Sequence, residues 1–102
     1  MAQFVRVAKT SDLAPGKCMQ VIVSGRRIAL YNVDGEFYAT DDTCSHAEAS
    51  LSEGCLRGDE IECPRHGARF NVRTGQALSL PAWAPVRTFA VKVEGDEIFV
   101  QV

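Results

Sequence analysis

Residues 44–66 read CSHAEASLSEGCLRGDEIECPRH. The stretch opens on Cys44-Ser45-His46, closes on Cys63-Pro64-Arg65-His66, and contains both histidines of the chain. Thiolate and imidazole are metal donors, so two Cys-His pairs this close in sequence point to a metal site. Zinc is the first reading to test, because two thiolates and two imidazoles satisfy a tetrahedral ion. Zinc modules usually place two Cys in one knuckle and two His about three to five residues apart, whereas each half here supplies one Cys and one His. That division suits a binuclear [2Fe–2S] cluster, with both thiolates on one iron and both imidazoles on the other.

The rest of the chain is consistent with one small domain built around such a site. It has 102 residues, 46% of them hydrophobic and 24% charged, with a net charge of −2. This is a globular composition, and residues 1–102 are read as a single domain. No long basic run is available to neutralise phosphates, so nucleic acid is not an expected partner. The longest uncharged stretch, Thr74 to Val86, contains Pro81 and Pro85 and is too short to cross a bilayer. Arg6 and Lys9 interrupt the apolar run a signal peptide would need. A cytoplasmic protein without membrane contact is expected.

Gly and Pro punctuate the chain at short intervals, and the segments between them alternate with period two. The fold class is therefore all-β. Strands are expected at Phe4 to Val7, Met19 to Val23, Arg27 to Val33 and Glu36 to Ala39, forming a meander, with a tight turn at Ser24-Gly25. Ser11-Asp12-Leu13 is placed at a turn. A C-terminal hairpin is expected about Gly95-Asp96, with Phe89, Val91 and Val93 on one arm and Ile98, Val100 and Val102 on the other. From Thr40 to Pro85 the apolar runs shorten, and something other than a plain hydrophobic core organises the chain.

The spacing C-x-H, sixteen residues, C-x-x-H resembles that of the Rieske iron–sulfur proteins. Gly67 after the second His, Pro81 in a proline-bearing loop and the closing hairpin extend the resemblance over essentially the whole chain. It implies an antiparallel β-sandwich with a small cluster-binding subdomain inserted at approximately residues 40–85. It also implies one [2Fe–2S] cluster per subunit, with Cys44 and Cys63 on the inner iron and His46 and His66 on the outer. Respiratory members carry a disulfide bracing the cluster loops at positions matching Ala49 and Arg65, and hydroxyl donors to the cluster sulfurs at positions matching Ala68 and Phe70. All four are absent here. Loss of donors to sulfur destabilises the reduced state, so the midpoint is expected near the low end of the roughly −150 to +300 mV Rieske range.

The chain has no third His for an oxygen-activating site and no Gly-x-Gly for a dinucleotide, so it is not expected to be an enzyme. By the same resemblance it is a small ferredoxin of bacterial aromatic-ring-hydroxylating dioxygenase systems. It would carry one electron from a flavin-dependent NAD(P)H reductase to a terminal Rieske-type non-haem iron oxygenase. Competing readings are a Rieske subunit of another oxidoreductase, such as a monooxygenase or a nitrite-reductase-like small subunit, and a structural zinc module. Without a heptad or broad apolar stripe, a monomer is expected. Asp41, Asp42, Glu48 and Glu53 near the first Cys-His pair, and Arg65 and Arg69 near the second, read either as a docking surface or as ordinary solvated charges. Pro81 is expected to shield the cluster, Trp83 has no settled role, and Cys18 and Cys55 read as small buried hydrophobes.

Overall fold

The computed structural model describes residues 3–44, 49–65, 67–80 and 84–102. Among these residues ten strands are present: β1 (Phe4–Lys9), β2 (Cys18–Val23), β3 (Arg26–Val33), β4 (Glu36–Asp41), β5 (Cys55–Arg57), β6 (Glu60–Glu62), β7 (Arg69–Asn71), β8 (Thr88–Phe89), β9 (Val91–Glu94) and β10 (Glu97–Gln101). Two short 3-10 turns, Thr10–Asp12 and Leu51–Glu53, complete the regular structure among the described residues. The all-β expectation holds, and all strand pairings are antiparallel.

Three sheets form, with strand orders β1-β10-β9, β2-β3-β4-β8 and β5-β6-β7. β3 explains how they stack. Its sequence RRIALYNV is apolar after the two arginines except at Asn32, and all six of those residues are buried, as expected of a strand covered on both faces. Ile28 and Leu30 join Val21, Val23, Ala39, Ile98 and Val100 in one core, between the first two sheets. Ala29, Tyr31 and Val33 point the other way, into a second core with Leu51, Ile61, Phe70 and Val72, largely supplied by the small third sheet and the segments flanking it. The four-stranded sheet is thus the shared middle layer.

The β2–β3–β4 meander is set by two two-residue turns, Ser24-Gly25 and Asp34-Gly35, in which all four residues have positive φ. Such turns match the strand twist and close narrow hairpins. Asn32 steadies the second turn: its Oδ1 accepts the Gly35 N–H at 2.7 Å while its Nδ2 donates to the Leu13 carbonyl at 2.8 Å.

Two expectations about the strands are corrected. β1 does not enter the meander but pairs with β10, because the Thr10–Asp12 turn and the loop through Pro15-Gly16 carry the chain across to the other sheet. The C-terminal hairpin forms, with β9 beginning at Val91. Thr88 and Phe89 form a separate strand against β4. Val93 lies on the sheet edge and is 43% exposed, so the alternation of that arm does not carry it into the core.

Candidate metal centre

Two loops with matching bases carry the cysteines. In the first, Thr43 and Ser50 pair across the base, and the Cys44 N–H donates to the Ala49 carbonyl at 2.9 Å. In the second, Glu62 and Arg69 pair as the last rung of β6 and β7, and the Cys63 N–H donates to the Ala68 carbonyl at 2.7 Å. Each cysteine is therefore the first residue past a strand-like rung and is tied to the residue five positions on. Cys44 and Cys63 are 3% and 1% exposed and belong to the same core, together with Ala68, and Ala49 packs against it. The exposed residues Pro64 and Arg65 lie between Cys63 and the second loop's return.

The first loop is anchored from beneath by a polar seam. Asp42 is 1% exposed; its Oδ1 accepts the Ser52 N–H at 2.9 Å, and its Oδ2 accepts from Gln20 Nε2 at 2.6 Å. Its backbone carbonyl accepts the Leu51 N–H at 2.7 Å. Burial pushes the Asp42 carboxyl up, but hydrogen bonds from Ser52, Gln20 and Ser50 outweigh it and hold the group below the usual carboxylate range. Asp42 is thus neither a docking charge nor a solvated one, and that expectation is corrected: a carboxylate accepting several donors is stable where a bare one would be expelled. Cys18 on β2 completes the seam, its thiol donating to the Ser52 carbonyl at 3.2 Å. Nearby, the buried Tyr31 hydroxyl lies 2.9 Å from Thr40 Oγ1.

A third segment flanks the second loop. After β7 the chain turns through residues 71–76, where Asn71 Oδ1 accepts the N–H groups of Arg73 and Thr74. It then runs back beside β7, with Ala77 bridged to Phe70 and the Leu78 N–H donating to the Arg69 carbonyl at 2.7 Å. Among the described residues this path ends at Leu80, which is 81% exposed. Ala68 and Phe70, the positions without hydroxyls, are both fully buried.

Of the four residues singled out in the sequence, the structure brings Cys44 and Cys63 into one core. His46 and His66 lie outside the described residues, as do Glu48, Pro81 and Trp83. Arg65 and Arg69 are exposed, and Arg69 pairs with Glu60 at 3.4 Å. Sequence reasoning missed the three short strands that hold the second loop and the Gln20–Asp42–Ser52 seam.

The architecture has known counterparts, and the decisive match covers residues 3–90, which fit the model of the Rieske [2Fe-2S] domain. The chain belongs to the Rieske [2Fe–2S] family. It is 50% identical over 95 residues to the ferredoxin component of biphenyl 2,3-dioxygenase from Rhodococcus jostii (strain RHA1), covering 93% of this chain and 89% of that one. The ferredoxin of carbazole 1,9a-dioxygenase from Nocardioides aromaticivorans IC177 superposes with a TM-score of 0.92 at 42% identity, over 96% of each chain. A structure described as a complex of reduced oxygenase and oxidized ferredoxin in carbazole 1,9a-dioxygenase contains a chain matching with a TM-score of 0.91 at 47% identity, over 95% of this chain and 91% of that chain. The family's cofactor is a [2Fe–2S] cluster. The described donors of this Rieske domain fit it: two thiols withdrawn from water at equivalent positions of two loops, against a common apolar wall.

Proposed function

We propose that this Rieske protein is the electron carrier of an aromatic-ring-hydroxylating dioxygenase system. It accepts one electron from a flavin-dependent NAD(P)H reductase and delivers it to a terminal Rieske-type non-haem iron oxygenase. Cys44 and Cys63 would hold one iron of the cluster, and His46 and His66 the other. When bound, the cluster supplies one-electron redox chemistry. The chain's own part is to fix the thiolates, exclude water from them, and present the histidine side to partners.

The observation that carries this reading is the duplicated loop. Two cysteines at the same position of two similarly closed loops, buried in one core, support a reading in which they act as one pair of thiolate ligands. The relatives' descriptions support delivery to an oxygenase, since they are ferredoxin components of dioxygenases and one is described in complex with its oxygenase. A one-electron carrier that meets two partners in turn needs a small, weakly bound interface, and the exposed Pro64, Arg65 and Leu80 lie on or beside the loops where such contact would form.

Reconstitution tests the function. NADH, a flavin-dependent reductase, this protein and a terminal aromatic-ring oxygenase should together yield cis-diol product, and omission of this protein should abolish turnover. Undiminished product without it would overturn the assignment.

A further inference from the structure

Two cysteines outside the candidate metal centre line one cleft open to solvent. Cys18 lies at the start of β2 and Cys55 at the start of β5, and both line the cleft with Lys17, Ser52, Gly54 and Arg57. The Cys18 thiol is 3.2 Å from the Ser52 carbonyl oxygen and 4.0 Å from that of Gly54. The second oxygen belongs to the peptide group whose nitrogen is that of Cys55, so the Cys18 sulfur approaches the very peptide from which Cys55 departs. The expectation of two small buried hydrophobes is corrected: Cys18 is half-buried, Cys55 is exposed, and both are thiols.

We propose that Cys18 and Cys55 form a second redox site, a dithiol that a peroxide closes to a disulfide, pinning the segment after the first metal-centre loop to β2. Burial, then the charge of Asp42, then that of Cys55 push the Cys18 thiol up. Exposure lets Cys55 meet the oxidant first, with the half-buried Cys18 beside it to resolve the product. In the first step the Cys55 sulfur attacks a peroxide oxygen. The O–O bond breaks, an S–O bond forms, and the products from hydrogen peroxide are a sulfenic acid and water. In the second the Cys18 sulfur attacks the Cys55 sulfur. The S–S bond forms, the S–O bond breaks, and the Cys18 proton leaves with the departing oxygen as water. Two thiols and one hydrogen peroxide become one disulfide and two waters.

The consequence follows from what the segment already does. Ser52 is gripped on both sides, its N–H by Asp42 and its carbonyl by Cys18, and Leu51 before it is buried in the core that contains Cys44 and Cys63. A covalent tie at Cys18 and Cys55 would replace the weak S–H···O contact with a bond and restrict opening of that segment.

The test uses the cluster-loaded protein treated with stoichiometric hydrogen peroxide, alkylated, and cleaved with trypsin and a glutamyl endopeptidase. These cuts place Cys18 in the fragment 18–26 and Cys55 in the fragment 54–57, each with a single cysteine. The expected result is a linked pair of these fragments, two hydrogens lighter than their sum. Both thiols should lose alkylation together and regain it with dithiothreitol, while the visible absorption of the cluster persists. Cys18→Ser and Cys55→Ser should each abolish the linked species. Four results would overturn the proposal: Cys55 oxidised beyond sulfenic acid with Cys18 still alkylatable, a Cys55–Cys55 bridge between molecules, neither thiol oxidised, or bleaching of the cluster before any link forms.

Discussion

At the scale of single residues, two kinds of side chain decide the behaviour of the centre. Ala68 and Phe70 are fully buried in the core that contains both cysteines, and neither carries a hydroxyl. With the cluster held as proposed, Ala68→Ser and Phe70→Tyr should each restore a donor to sulfur. A hydrogen bond worth about 1 kcal/mol corresponds to roughly 40 mV for one electron. Each substitution should therefore raise the midpoint measured by protein-film voltammetry by about that amount, and an unchanged midpoint would show that neither position faces the sulfurs. Asp42 is of the second kind. Exchange for Asn keeps its size but turns an acceptor into a donor facing Gln20 or Ser52, so Asp42→Asn should lower stability by about 2 kcal/mol in urea unfolding. Loss within error would show that the seam adds nothing. The candidate ligands Cys44, His46, Cys63 and His66 stand out by spacing alone, because ligand chemistry restricts residue types so strongly, and of these the structure describes the two cysteines. Asp42 could not, since a carboxylate's burial depends on donors contributed by Gln20 and Ser52, far along the chain.

Elements divide in the same way. β2, β3 and β4 were legible because local two-residue turns fix their register and because β3 announces a strand covered on both faces. The sheet β5-β6-β7 was not, since three-residue strands are too short to display a period. What holds it is close backbone approach. A Cβ on Gly54 would collide with the Glu62 carbonyl oxygen, so Gly54→Ala must push β5 away from β6, next to Cys63. The expected cost is about 1–3 kcal/mol of stability, with faster loss of visible absorption on warming, read by thermal melts at fixed scan rate; a melt unchanged from the parent would contradict the packing argument. In the other core, Leu30→Ala should cost about 2–5 kcal/mol. Ile22→Ala, at a site 66% exposed on the edge strand β2, should change stability by no more than about 0.5 kcal/mol in urea unfolding.

For the molecule as a whole, one sheet serves two cores. The β2-β3-β4-β8 sheet packs on one face against β1, β9 and β10 and on the other against the segment that presents the two loops. The pairing of the first strand with the last could not be anticipated, because no local turn connects them and only the completed sandwich brings them together. This arrangement makes the second core at once a folding core and the wall of the metal centre, so the fold and the donor set are a single device. The most direct test is pulsed electron paramagnetic resonance of the reduced, cluster-loaded protein. Coupling to two imidazole nitrogens is expected, with one lost in His46→Cys and the other in His66→Cys. A spectrum without nitrogen coupling, or iron analysis showing a single mononuclear ion, would contradict the account.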